Sequence, residues 1–174
     1  MGLGSWLRKV RGKDDGAAAT TEYVAPPPPT DKDILAALNR VNAMLREGNA
    51  PPVVISRVVK IARTIHQTLP RLNDLGLGSQ DGYSLMATAT DYLPEAVGGY
   101  LRLPREWADT RPIDGYKTSL MVLVDQLELL ASTMDKILDA ANRADAQALI
   151  AHGMFLQAKF GPPSGPDLTL GPPS

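Results

Sequence analysis

The side chains in this sequence whose types could do chemistry are two histidines, four regularly spaced carboxylates and one glycine-rich run. Histidine is the commonest general base and metal ligand, but His66 and His152 stand far apart in the chain. Neither has a glutamate three residues before it, so the Glu-x-x-His pair of di-iron bundles is absent. Asp125, Glu128, Asp135 and Asp139 form an acidic stripe, with Ser132 filling the gap. Neighbouring carboxylates can raise one another's pKa and serve as an acid/base pair or a cation site. On an amphipathic helix the same spacing is simply a solvent-facing side, which is the expectation here. The run Gly76-Leu77-Gly78-Ser79-Gln80-Asp81-Gly82 lacks both the spacing of a dinucleotide fingerprint and a strand before it. Lys117 beside Thr118 has no glycine-rich cradle for phosphate, and Ser79 and Ser84 have no base close in sequence. Zero cysteines exclude disulfides, thiolate nucleophiles and cysteine-ligated metals. No catalytic residue, metal ligand or cofactor is therefore expected.

The elements that would position these residues are helices. Leu120, Leu123, Leu127, Leu130, Met134, Ile137 and Ala141 alternate by three and four, as in a coiled-coil seam. Met121, Val124 and Leu138 widen that stripe into one suited to a bundle. Ile34, Leu38, Val41 and Leu45 share one earlier helical face, and Val54, Val58, Ile61, Ile65 and Leu69 share another. Thr30 with Asp33 resembles a capping box, Gly48 ends the first helix, and Asn49 with Pro51 suits the start of the second. A third helix over 80–103 should be kinked or divided at Pro94, which has no N–H to donate. Asp145 suits the N-cap of a last helix running to Phe160, with Gly161 as its stop. A short connection at 142–144 would fold that helix back antiparallel, so that Leu149, Gly153, Leu156 and Phe160 face the long one. The apolar runs at 53–55 and 121–124 sit inside longer helical patterns, so no sheet is expected. The expected fold class is all-α: a four- or five-helix bundle with a long C-terminal helical hairpin and disordered tails.

Domain limits follow from composition. Residues 1–30 are a basic segment followed by a linker containing the run Pro26 to Pro29. Residues 31–161 are the bundle. Residues 162–174 are a Gly/Pro-rich tail in which Gly-Pro-Pro-Ser occurs twice. With 18 basic and 19 acidic side chains the formal charge is −1, and the helical block has no basic stripe interleaved with aromatics, so no nucleic acid partner is expected. The N-terminus differs from the rest. Trp6, Leu7, Arg8, Lys9 and Arg11, with Leu3, Val10 and Lys13, give a small apolar face beside positive charge, suited to contact with an anionic membrane surface. That segment has no continuous apolar stretch of a secretory signal, Trp6 stands where a myristoylation motif needs Ser or Thr, and no run is long enough to span a bilayer. Cytoplasmic residence is expected, and the basic segment reads either as a solvated start or as a peripheral contact at the inner face of the membrane.

The run Asp91-Tyr92-Leu93-Pro94-Glu95-Ala96-Val97-Gly98-Gly99-Tyr100-Leu101-Arg102-Leu103-Pro104 resembles the Tyr-Leu-Pro helical element of the bacterial XpaC-like proteins, named for bromo-chloro-indolyl phosphate hydrolysis. It is also similar to segments of uncharacterised bacterial helical proteins. The resemblance implies an α-helical fold, and through the group's name and associations, phosphate-ester hydrolysis and toxic-anion resistance. It brings no catalytic residue set. Tyr92, Tyr100 and Trp107 cluster here with Pro94 and Pro104 in a chain otherwise poor in aromatics. Two readings stand: the aromatics fill a bend in the core, or Tyr100, Arg102, Arg105 and Trp107 are a candidate partner-binding patch, because Tyr, Trp and Arg dominate binding hot spots. The sequence thus reads as a non-catalytic interaction or scaffold protein with a protein partner, a second copy of the chain being a further candidate. The alternative is a phosphate-ester hydrolase or a small-ligand-binding regulatory protein.

Overall fold

The computed structural model describes residues 29–71 and 79–161. The N-terminal residues Trp6, Leu7, Arg8, Lys9 and Arg11 lie outside them, as does the Gly/Pro-rich tail beyond Gly161. The fold is all-α. Helix α1 spans Asp31–Glu47 and α2 Pro52–Thr68, the latter extended by a 3-10 turn at Leu69–Arg71. Helix α3 (Gln80–Ala87) continues through a π-helical turn (Thr88–Tyr92) into α4 (Leu93–Leu101). A short α5 (Arg105–Thr110) and a two-stranded hairpin, β1 (Pro112–Asp114) with β2 (Lys117–Thr118), lead into α6, which runs unbroken over Ser119–Phe160.

Each start is set locally. At α1 the Asp33 N–H donates to Thr30 Oγ1 while the Thr30 N–H donates to Asp33 Oδ2 at 2.8 Å, so both arms of the capping box form. The bonds from Thr30 hold the Asp33 carboxyl below its usual value. Ser79 caps α3 through Gly82 N–H, and Thr118 caps α6 through Met121 N–H. Helix α2 starts differently from the sequence expectation. Its N-cap is Pro51, and Asn49 instead adopts a left-handed conformation (φ 47°) that turns the chain between α1 and α2.

The packing follows the apolar stripes. Ile34, Leu38, Val41 and Leu45 of α1 are buried with Val54, Val58, Ile61 and Ile65 of α2 and with Leu85, Leu93 and Val97 of α3 and α4. Leu123, Leu127, Met134, Ile137 and Ala141 complete the core from α6. Leu120 and Leu130, the seam's other members, are half-buried, and Ala131 is buried beside them. Helix α6 packs along α2 on one side and α4 on the other, and α1 closes over α4 and the π turn.

At Pro94 the third helix is interrupted without ending: a π turn immediately before it, closed by the Leu93 N–H donating to Thr88 O, separates α3 from α4 and widens the coil where the proline ring would otherwise meet the preceding turn. Two expectations are corrected. A small sheet exists, with Pro112 opposite Thr118 and Asp114 opposite Lys117, and Gly115 takes the left-handed turn position (φ 58°). The C-terminal hairpin does not form. Asn142 and Asp145 do not cap a new helix: Arg71, at the end of α2, donates to Asn142 Oδ1 and pairs with Asp145 Oδ2 at 3.1 Å. No glycine or proline interrupts 140–148, and its alanines favour helix, so α6 continues.

Candidate functional site

The segment after the π turn carries the expected patch, and packing divides its four residues. Tyr100 is buried, only 4% exposed, and its hydroxyl donates to Asp109 Oδ1 at 2.6 Å across the α4–α5 corner. Burial first and the bond to Asp109 second push this hydroxyl up to about 12, against the opposing pull of Arg105. Arg105 donates from Nη1 to Asn49 O and from Nη2 to Gly48 O, both at 2.8 Å, and lies 5.2 Å over the Tyr100 ring. It therefore fastens α5 to the end of α1, using carbonyls that the helix terminus leaves without intrahelical partners. Leu101 packs against Gly48 so closely that a Cβ there would stand 2.8 Å from Leu101 Cδ2. Arg102 and Trp107 remain exposed, Trp107 by 44%.

Beside this corner an open cleft of about 520 Å³ lies between α4 and the start of α6. Tyr92, Ala96, Gly99, Val122, Leu123 and Leu130 give it mostly apolar walls, and Glu95, Arg102 and Gln126 add polar groups. Ser119 also lines it, and the buried Ser119 hydroxyl has no hydrogen-bond partner among the described residues. Of the aromatic cluster and patch singled out in the sequence, Tyr92, Tyr100 and Arg102 line it; the contribution of α6 was invisible without the fold.

The acidic stripe lies on the solvent-facing side of α6 as expected: Asp125, Glu128 and Asp139 are exposed and Asp135 is half-buried at the edge of α2. Glu128 Oε2 lies 3.4 Å from Arg57 Nε; Asp135 Oδ2 pairs with Lys60 at 3.0 Å, and Asp135 Oδ1 accepts from Thr64 Oγ1 at 3.2 Å. Asp125 pairs with Lys117 at 2.5 Å and Asp139 with Arg143 at 2.7 Å, and each of these two carboxylates raises its partner's pKa. Each of the four carboxylates thus has a cationic partner, and two of them, Glu128 and Asp135, border the α2–α6 contact. His66 and His152 are both exposed on different helices. Among the described residues no three His, Asp or Glu side chains converge as a metal site would require.

The most unusual surface lies where the expected hairpin fails. Beyond Ala141 no side chain of α6 is buried. Leu149 and Phe160 are each 73% exposed, and Ile150, Met154, Phe155 and Leu156 are exposed with them. His152 stacks on Phe155, and Lys159 lies over Phe155 and Phe160 at 5.6 and 5.5 Å. Leu149, Gly153, Leu156 and Phe160 share the face read from the sequence, but they face no other described element. No helix among the described residues is long and apolar enough to cross a membrane. Comparison with known proteins finds no matching family model, no similar curated protein and no similar solved structure.

Proposed function

We propose that the chain is a non-catalytic helical interaction module whose docking element is the projecting end of α6. The observation that supports this reading is the exposure of Leu149, Ile150, Met154, Phe155, Leu156 and Phe160 on one free helical segment. A helix that is apolar on most sides belongs against a partner. The run 146–158 has no Asp, Glu, Lys or Arg but falls well short of the roughly 20 residues a bilayer span needs, which favours a protein surface. The test is capture from native extract by the full chain and by its Leu149→Glu/Leu156→Glu variant. Loss of capture at unchanged melting temperature is expected; undiminished capture overturns the reading.

The exposed Arg102 and Trp107 add a second contact surface to the same role, and the basic N-terminal residues Trp6, Leu7, Arg8, Lys9 and Arg11 a contact with anionic membrane. Salt-sensitive co-sedimentation with anionic vesicles, abolished by Trp6→Ala with Arg8→Glu, checks the latter. The cleft supports a small-ligand reading, since apolar walls and a Ser119 hydroxyl unpartnered among the described residues suit a compact amphiphile. Phosphate-ester hydrolysis and toxic-anion resistance rest on the resemblance of residues 91–104 alone. Hydrolysis of a generic phosphate ester by the purified chain tests the first.

A further inference from the structure

The projecting segment has a seam of its own. Ala146, Leu149, Gly153, Leu156 and Phe160 alternate by three and four, in the spacing of a two-helix coiled coil. At about 100° per residue Leu149 lies roughly 80° round the helix from the buried Ala141, so this seam does not continue the one that α2 and α4 cover. Large and small residues alternate along it, with leucine at 149 and 156 and small residues at 146 and 153. Gly153 is unexplained by the described residues: a Cβ there would meet nothing among them within 4 Å, and glycine within a helix is less stable than alanine.

We propose that this segment pairs antiparallel with the same segment of a second copy of the chain, leucines against small residues. The proposal rests on the reading of the projection as the docking element and names its occupant. In one register Leu149 meets the partner's Gly153 and Leu156 meets the partner's Ala146, and symmetry repeats both layers. A parallel pair would set Gly153 and Ala146 against their own counterparts and leave voids between crowded leucines. Charge selects the same register. Asp145 and Lys159 each immediately precede a seam residue, and antiparallel helices bring equivalent flanking positions together, so Asp145 meets the partner's Lys159 on both sides of the two-fold axis. The Asp145 carboxyl group, already paired with Arg71, is half exposed and can accept this second partner.

Length selects that register too. It sets Phe160 beside the partner's Asn142, so the two projections overlap fully. Each helix ends, at Gly161 with φ 77°, where the other bundle begins. The contact is isologous and closes at two copies. A strip one helix wide and roughly 28 Å long, at 1.5 Å per residue, is smaller than the roughly 800 Å² per partner of a standard interface, so the dimer forms reversibly.

Sedimentation of the purified full chain from about 1 to about 500 µM, a range suited to a weak interface, should pass from monomer to dimer mass. Asp145→Lys and Lys159→Asp should each weaken dimerisation by roughly tenfold, as two exposed attractions become repulsions. Mixed together, the two variants should form a heterodimer tighter than either homodimer, because both crossing pairs become attractive again. Gly153→Leu should keep the monomer folded and abolish the dimer. A monomer throughout, a species heavier than a dimer, or no preference between the two charge variants overturns the proposal. A monomeric chain whose capture from extract still depends on Leu149 and Leu156 removes self-pairing and leaves the docking reading standing; capture indifferent to both residues removes that reading as well.

Discussion

Replacing Arg105 with alanine should destabilise the bundle by about 3 kcal/mol, a magnitude that follows from its three contacts. A hydrogen bond from a charged donor is worth roughly 1.5–3 kcal/mol net where water is excluded, and the bond to Gly48 O is the part-buried one. The bond to Asn49 O is exposed, so water replaces most of it and about 0.5 kcal/mol is lost there. Stacking over Tyr100 adds about 0.5–1 kcal/mol. For a domain of this size the loss corresponds to a fall in Tm of roughly 10 °C. Arg105→Lys should recover only part of it, because an ammonium lacks the fork that reaches two carbonyls at once. Thermal unfolding of the full chain followed by far-UV circular dichroism reads both values. A fall below about 2 °C for the alanine variant, on the same scale, would refute the view that Arg105 holds α5 to the end of α1 and restore it to the exposed patch. Trp107→Ala serves as the internal comparison, since Trp107 is half exposed and its loss should leave Tm nearly unchanged.

Leu127→Ala should cost roughly 2–5 kcal/mol in urea or thermal unfolding, since the side chain is fully buried in the packed first part of α6; a loss under about 0.5 kcal/mol would contradict that placement. Tyr100, whose folded pKa is raised, contributes stability that is complete below about 10 and is lost as pH rises toward about 12, so Tyr100→Phe should flatten the alkaline fall in stability. An alkaline limb equally steep in wild type and variant would refute the assignment. Thr30→Ala should cost about 1 kcal/mol through loss of the α1 cap. The wild-type advantage should shrink as pH falls through the carboxyl range, because Asp33 has a lowered folded pKa and its contribution exists only above it; a pH-independent difference would contradict the capping box.

The core was legible because period is a global property of a helix: the stripes on 34–45, 54–69 and 120–141 point inward, except that Leu120 and Leu130 are half-buried and Met121 is exposed. Local signals were less reliable where a distant side chain competed for them. Asp145 and Asn142 look like the start of a helix, but Arg71, distant in sequence, takes both, and nothing local remains to stop α6. Arg105 looks like an exposed hot spot because the carbonyls it serves belong to another helix. The hairpin could have been found. Asp114-Gly115 is a strong short-range turn signal, passed over because its strands are too short to show alternation. Of the exposed apolar residues at the end of α6, the spacing pointed to Leu149, Leu156 and Phe160 but not to Ile150, Met154 or Phe155, and it placed them on a separate helix that does not form.

The free end of α6 also has a kinetic consequence. Forming the first turn is the slow, unfavourable step for an isolated helix, but here the packed portion up to Ala141 supplies a permanent nucleus. The distal turns therefore need only propagate, each near balance in water, and they unwind and rewind from the Phe160 end on roughly the sub-microsecond scale of helix–coil relaxation. Backbone amides beyond Asp145 should exchange with solvent far faster than those of the seam from Leu123 to Ala141, although all belong to one continuous helix. Any molecule that covers the segment would have to arrest that fraying, and the slowing of exchange would run from the contact outward to the helix end.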